Sequence, residues 1–396
     1  MKLITKIRFS LPLILIGISN ILFGQDTLSK KKIKDIMQFN GYLKDLQVTN
    51  FSSLDSMSTF NLIHNRLNFK FYPCKNITGA LEIRNRIYYG EQIQNTPGFG
   101  KFIDSDNGFY KLSTLLVNEK SLIIHTMIDR LWFDWAYKKW EIRAGRQRIN
   151  WGKTLIWNPN DLFNTYNFAD FDYEEQPGSD ALKLTYYPSG MSAVELAVKP
   201  SRKKDGTVAA GSWRFNKLNY DFQLLGGLYY TDIALGAGWA GNVKDAGFKG
   251  EATWFQPKEN LTDTTGILSA TVSMDYSFKK PVYINGGVLY TKHHQKNNTN
   301  LFSIEQAFSG TLTAKNLMPT DWSFFAQVSD NITPLLSAEL SVIYGLDPDF
   351  IFTMPSLTYS LSDNWDITLL EQGVYDIKNN ASKPFNSIYI RMKWNF

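Results

Sequence analysis

Apolar and polar residues alternate with a period of two through almost the whole chain, and few folds can accept that pattern. In residues 266–278, Leu268, Ala270, Val272, Met274, Tyr276 and Phe278 fall on one face, with Ser269, Thr271, Ser273, Asp275 and Ser277 on the other. Residues 77–90 set Ile77, Gly79, Leu81, Ile83, Ile87 and Tyr89 against Glu82, Arg84 and Arg86; residues 219–230 set Tyr220, Phe222, Leu224 and Leu228 against Asp221 and Gln223. Such alternation describes strands with one apolar and one polar face. Eighteen candidate strands centre near residues 42, 66, 83, 129, 145, 184, 195, 213, 225, 238, 251, 273, 287, 325, 340, 356, 370 and 390. Many run to 11–14 residues, where a soluble strand has about 5–6 and a tilted strand crossing a bilayer needs about 9–11.

The connections test this independently. Tight ones, such as Lys138-Lys139, Pro188-Ser189-Gly190, Lys279-Lys280-Pro281, Asn331 to Pro334 and Ser362-Asp363, alternate with roomy ones near 49–58, 91–119, 150–179, 199–207, 256–265, 292–319 and 376–384. Short turns at one rim and long loops at the other are the habit of transmembrane barrels. The expected fold is therefore all-β: a transmembrane antiparallel up-and-down β-barrel of about 18 strands, with 16 as the alternative, short periplasmic turns and long extracellular loops.

The N-terminus fits a chain that leaves the cytoplasm. Lys2, Lys6 and Arg8 precede an apolar stretch from Leu11 to Phe23, and Gly24-Gln25 offers a cleavage point, so residues 1–24 read as a signal peptide. Residues 25–36, with Lys30-Lys31-Lys32 and Lys34, form a short periplasmic lead-in, and 37–396 the barrel. Removing Lys2, Lys6 and Arg8 leaves 39 basic against 37 acidic residues, so net charge makes no case for nucleic acid. The single cysteine, Cys74, excludes a disulfide framework.

At the other end, Ile388, Ile390, Met392, Trp394 and Phe396 alternate with Tyr389, Arg391, Lys393 and Asn395. This resembles the closing strand of Gram-negative outer-membrane proteins, and the resemblance implies that the barrel-assembly machinery reads the terminal Phe396. Trp132, Trp135, Tyr137, Trp140, Tyr186, Tyr187, Tyr276 and Phe278 stand at strand ends, as interfacial girdles would.

Strand number sets bore. Eight strands leave an interior filled by side chains, whereas 16–18 leave an aqueous channel. Charged residues at inward positions, among them Glu82, Arg84, Arg86, Arg130, Arg143, Glu195, Glu251, Arg391 and Lys393, would be costly in a dry core and fit a wetted lumen.

The most distinctive stretch runs from Arg143-Ala144-Gly145-Arg146-Gln147-Arg148-Ile149-Asn150-Trp151-Gly152-Lys153 through Trp157-Asn158-Pro159-Asn160-Asp161 to Asp170-Phe171-Asp172-Tyr173-Glu174-Glu175 and Ala181-Leu182. Over about forty residues it resembles a segment of large porin-like outer-membrane proteins of the alginate-export and phosphate-selective type, where a Gly-Arg-Gln-like strand enters Asn-Trp-Gly and an Asn-Pro-rich loop. That resemblance implies passive diffusion of small hydrophilic solutes across the outer membrane. Strict alternation would put Arg146 and Arg148 in lipid if Arg143 faces inward, at about 2–4 kcal/mol for an arginine near the midplane. A bulge at Gly145 would turn both inward. With Arg84, Arg86 and Arg130 these arginines would form a basic wall favouring anions.

Loop 150–179 carries Asp161, Asp170, Asp172, Glu174, Glu175 and Asp180. Folded into the bore, it would set acidic groups across from that wall and make a constriction with a transverse field, as charged rings do in pores. Trp151, Trp157, Tyr166, Phe168 and Tyr173 would pack such a loop to the wall, with stacking on sugar rings as the alternative. No metal or other cofactor is expected, because the carboxylates lack the spacing of a calcium loop. His64, His125, His293 and His294 stand in no catalytic motif, so no enzyme is expected. The alternative function is a closed barrel with a scaffold, polysaccharide-assembly or surface-binding role.

Overall fold

The computed structural model describes residues 36–52, 57–106, 108–165, 167–259, 261–262, 266–292, 312–377 and 384–396. The expected signal peptide (1–24), all of the expected lead-in (25–36) but Ile36, Tyr166 and His293-His294 lie outside them. The described residues form nineteen strands: β1 (Met37–Phe51), β2 (Met57–Cys74), β3 (Ile77–Tyr89), β4 (Ser113–Asn118), β5 (Leu122–Tyr137), β6 (Trp140–Gln147), β7 (Ser179–Ser189), β8 (Ser192–Lys199), β9 (Val208–Lys217), β10 (Tyr220–Tyr229), β11 (Asp232–Val243), β12 (Ala246–Pro257), β13 (Ile267–Ser277), β14 (Val282–Thr291), β15 (Trp322–Asn331), β16 (Leu336–Leu346), β17 (Phe350–Ser362), β18 (Trp365–Asp376) and β19 (Phe385–Asn395). Eighteen of them close an antiparallel barrel, in which β3 pairs with β5 and the first strand pairs with the last from Tyr42↔Asn395 to Phe51↔Asn386. All eighteen expected centres fall on these eighteen strands.

The nineteenth strand was not expected. Residues 91–119 hold two short helices, α1 (Glu91–Asn95) and α2 (Phe99–Ile103), followed by β4, which pairs only with β5. It occupies the edge of β5 beyond the point where β6 ends, because β5–β6 pairing stops at Leu131↔Arg146 while β4 pairs from Met127 onward.

Alternation decides which side chains point where. Phe133, Leu182, Leu196 and Leu235 are 66, 55, 55 and 60% exposed on the outer face, while their neighbours Asp134, Ala197 and Ala234 are buried on the inner one. Two of the eight aromatics expected in the girdle turn inward: Trp132 lies under the Arg143 guanidinium, and the Tyr187 hydroxyl donates to Glu141. The turns at the C-terminal rim are tight. Leu218 and Asn219 both take left-handed φ (55° and 63°), the geometry of a two-residue hairpin whose twist matches its strands.

The expected bulge at Gly145 is not there. Register runs unbroken on both edges of β6, and Gly145 instead takes a φ of 117°, with its position for a Cβ 2.1 Å from the Leu131 carbonyl oxygen. The extra residue sits one strand away: Glu82 pairs with Arg130 and Ile83 with Ile128, so Asp129 is inserted into β5 and turns inward beside Arg130.

The interior is divided. Toward the long connections it is packed by three apolar clusters, built on Trp151 with Phe255, on Trp157 with Phe325 and Phe350, and on Leu46 with Tyr88 and Ile123. Toward the short turns it is polar, lined by partly exposed Glu141, Arg143, Lys183, Lys249 and Asp275. The charged lining expected of the lumen is therefore found over only part of its length, because connecting segments fold back into the rest.

Candidate functional site

The wall opens where β6 leaves at Gln147 and β7 returns at Ser179, two residues that pair with each other. The segment between them meets strands around the whole circumference. Trp151 Nε1 donates to Glu195 on β8, the Lys153 amide to Glu251 on β12, and Trp157 packs edge-on against Phe325 on β15. Gln372 on β18 donates to the Ala169 carbonyl, Phe171 meets Tyr389 on β19, and Asp172 reaches Lys44 on β1 and His64 on β2. Only a segment lying within the barrel can touch all of these.

Its first half is an uncharged anchor. Asn160 is fully buried: its amide donates to the Ala237 carbonyl at 3.1 Å and to Gln223, and its Oδ1 accepts from Thr253 at 2.7 Å. Two glycines on the inner face of β11 let it approach. A Cβ on Gly236 would stand 2.8 Å from Asn160 Oδ1, and one on Gly238 3.0 Å from Nδ2. Asn164 accepts from the Ile149 amide and donates to the Pro177 carbonyl, tying the two ends of the segment together. The Asn-Trp-Gly and Asn-Pro-Asn-Asp run thus fixes the segment to the wall. Beside it Asp161 is buried, its Oδ1 has no hydrogen-bond partner among the described residues, and burial pushes its carboxyl up to about 7.

The second half is acidic and lies on a basic wall. Asp172 is 2.8 Å from Lys44 Nζ and accepts from His64 Nδ1 at 2.9 Å. Glu174 is 2.9 Å from Lys393, 3.2 Å from Arg391 and 3.7 Å from Lys44. Glu175 accepts from the Tyr42 hydroxyl at 3.0 Å and is 3.6 Å from Arg66, and Arg130 donates to the carbonyls of Glu175 and Gln176. The Arg84 guanidinium stacks 3.8 Å from the Tyr173 ring centre. Behind them Asp129 bridges Arg66 and Arg84. Burial alone would raise the Asp172 carboxyl, but the His64 hydrogen bond and the Lys44 charge outweigh it and hold it well below the usual carboxylate range. Glu174 is held low in the same way by Lys44 and Lys393, whereas burial and the Asp172 charge raise Asp170.

The expected site residues therefore separate. Arg84, Arg130, Asp170, Asp172, Glu174 and Glu175 come together. Arg86, on the same wall, turns to His125 and the Ile103 carbonyl. Arg143 stands toward the short turns with Asp134 and Glu141, and Asp161 belongs to the anchor. Arg146 is away from that wall: it pairs with Asp180 at 2.7 Å and Asp106 at 2.9 Å and donates to the Tyr110 carbonyl. Asp106 and Tyr110, before β4, help to bury it. Arg148 is half-buried. The carboxylates do not stand across a gap from the wall but pair with it directly, which replaces the expected transverse field by local neutralisation. Sequence reading missed Tyr42, Lys44, His64 and Arg66, although the register aligns Lys44 with His64 and Tyr42 with Arg66. No group of three or more His, Cys, Asp or Glu among the described residues is placed to hold a metal ion.

A family model described as "Protein of unknown function (DUF1302)" matches residues 129–337. No curated protein matches. Solved structures do. The outer membrane protein OpdK from Pseudomonas aeruginosa is similar with a TM-score of 0.58 at 9% identity, covering 91% of this chain and 99% of its own; it has also been solved with vanillate. A BenF-like porin from Pseudomonas fluorescens Pf-5 gives 0.58 at 9% identity, with 91% and 98% covered. OccAB4 from Acinetobacter baumannii gives 0.55 at 10% identity, with 91% and 98% covered. At these identities the likeness is one of fold.

Proposed function

The chain belongs to the DUF1302 family, described as of unknown function, and from that premise we propose that it is an outer-membrane porin of a Gram-negative bacterium, a passive diffusion channel for small hydrophilic solutes. The observation that carries the reading is the closed eighteen-strand wall, apolar outside and charged within. A continuous band of exposed apolar side chains such as Phe133, Leu196 and Leu235 needs hydrocarbon rather than water around it, and a barrel of this size has a bore that solutes can enter. The likeness of residues 143–182 to the alginate-export and phosphate-selective type supports the same class.

In this reading the segment 150–179 is the constriction, and solutes pass beside it. The proposed preference for anions rests on Lys44, Arg66, Arg84, Arg391 and Lys393, which carboxylates neutralise in the described arrangement and which act on solutes only where the segment's carboxylates leave them. OpdK, solved with vanillate, supports small organic anions as the first solutes to try. The alternating strand that ends on Phe396 serves the barrel-assembly machinery during insertion. In the folded barrel Phe396 exchanges backbone hydrogen bonds with Gly41 at 2.9 and 3.0 Å, beside the seam between first and last strands.

A second reading, a closed barrel with a scaffold or polysaccharide-binding role, is favoured by the apolar clusters that fill the interior toward the long connections. Solute flux separates the two. Liposomes containing the purified protein should swell in small sugars and faster in the salt of a small organic anion. No swelling in any solute, with the protein folded and inserted, would favour the scaffold.

A further inference from the structure

The internal segment is held in two different ways, and that difference suggests movement. Residues 149–164 are fixed mainly by buried amide and apolar contacts: Asn160 in its notch, Asn164 across the segment, and Trp151 and Phe163 in an apolar cluster, with Trp151 also donating to Glu195 and the Lys153 amide to Glu251. Residues 172–175 are fixed mainly by charge, through Lys44, Arg66, Arg391 and Lys393, with a hydrogen bond from His64 to Asp172 beside them. The Glu174 and Glu175 side chains are still 39 and 24% exposed. Ion pairs that reach water weaken as salt rises, whereas a buried amide network and an apolar cluster do not. The acidic stretch also ends on Gln176, a non-glycine residue in left-handed φ (58°), followed by Pro177 and Gly178. A change of backbone direction there separates it from the strand that follows.

We infer that residues 170–176 are a self-inhibitory plug, in which Asp172, Glu174 and Glu175 occupy the cationic sites of the wall, and that the described arrangement is the closed state of the channel. The inference rests on the porin reading. Opening is release of this stretch from Lys44, Arg66, Arg391 and Lys393, while the anchor at Asn160 stays seated. The cations then face bore water and whatever anions enter, and each such anion competes with the chain's own carboxylates. Closure is therefore strongest at low ionic strength.

The test is current through planar bilayers for the whole protein and three variants, each first shown folded by its heat-modifiable electrophoretic mobility. One variant is Asp172→Asn/Glu174→Gln/Glu175→Gln, the second Arg391→Gln/Lys393→Gln, and the third lacks residues 160–176. The plug predicts that both substituted variants pass several-fold more time-averaged current than the parent in 0.1 M KCl. It also predicts that the excess shrinks in 1 M KCl, after correction for bulk conductivity. A bore merely lined by these charges predicts ion selectivity shifted in opposite directions by the two variants and no gain in open time, and that result would overturn the plug. Current equal in parent and all variants would overturn it too. Silence from every form, the deletion included, would instead remove the porin reading and the plug with it.

Discussion

Lys44 and Asp172 are 128 positions apart in the chain, yet Lys44 Nζ lies 2.8 Å from the carboxylate and also donates to the Asp172 carbonyl at 2.6 Å. One belongs to the first barrel strand and the other to the segment that leaves the wall after β6. Their meeting fixes how far that segment reaches across the interior. Lys44 is fully buried, so the contact cannot be exchanged for water without moving the segment.

Replacing Lys44 by Met should free residues 170–176 selectively. Breaking a buried pair by removing one partner costs about 3–5 kcal/mol, whereas replacing both partners by apolar groups is often nearly neutral. Limited proteolysis should therefore cut Lys44→Met within 165–176 much faster than the parent, and Lys44→Met/Asp172→Leu at an intermediate rate. Equal cutting in all three would show that the pair does not hold the segment.

The anchor can be attacked from either side. Asn160→Ala strands the buried groups of Gln223 and Thr253, at about 1–3 kcal/mol. Gly236→Val puts a side chain 2.8 Å from Asn160 Oδ1 and 2.7 Å from Thr253 Oγ1. Both should raise hydrogen exchange across residues 149–164 while leaving β15–β18 protected. Exchange that rises uniformly around the barrel would mean the anchor serves the wall rather than the segment.

Acidity should act with opposite signs on the two halves of the segment. Asp161 titrates near 3.8 when free and about 7 when docked, so between these values only the docked form keeps its proton. Its docking weakens as pH rises from about 4 through 7 and changes little above that. Asp172 and Glu174 are held below the usual range. Their contribution is complete above that range and is lost as pH falls beneath it. Docking is thus tightest in mildly acid solution. Between pH 5 and 8 the thermal midpoint of the parent should fall further than that of Asp161→Asn, and parallel falls would contradict the assignment.

Asp129 should matter to the barrel itself. Asp129→Ala leaves the buried guanidinium groups of Arg66 and Arg84 without their shared carboxylate, a loss of about 3–5 kcal/mol. Asp134→Ala, whose partner Arg143 is partly exposed toward the short turns, should cost under about 1 kcal/mol. The temperature at which folded electrophoretic mobility disappears reports both, and an Asp134 effect as large as that of Asp129 would count against the buried bridge.

The wall was legible in the sequence because alternation and turn length are local signals, and all eighteen strand centres follow from them. β4 was not, since residues 113–118 pair only along the edge that β6 vacates, a vacancy no local pattern announces. Arg146 is buried, though not through the bulge expected at Gly145. Alternation called for an extra residue at Gly145, whereas the fold inserts Asp129 in the neighbouring strand and covers Arg146 with Asp106 and Tyr110. The acidic half of the site was read as a cluster because its charges are consecutive. Lys44, His64 and Arg66 were missed because polar residues scattered on two strands become a wall only once β1 and β2 are in register.

The claim on which everything rests is that lipid covers the outside of this barrel while its own chain and water fill the inside. Spin labels placed singly at residues 323–328 of β15, in a Cys74→Ser background reconstituted in bilayers, test it most directly. Phe324, Ala326 and Val328 face outward, and Ser323 and Phe325 are buried on the inner face. Labels at 324, 326 and 328 should collide readily with oxygen and poorly with a water-soluble nickel chelate, and those at 323, 325 and 327 should show the reverse ratio or be shielded from both. Nickel access at 324, 326 and 328, or no alternation along the strand, would contradict the account.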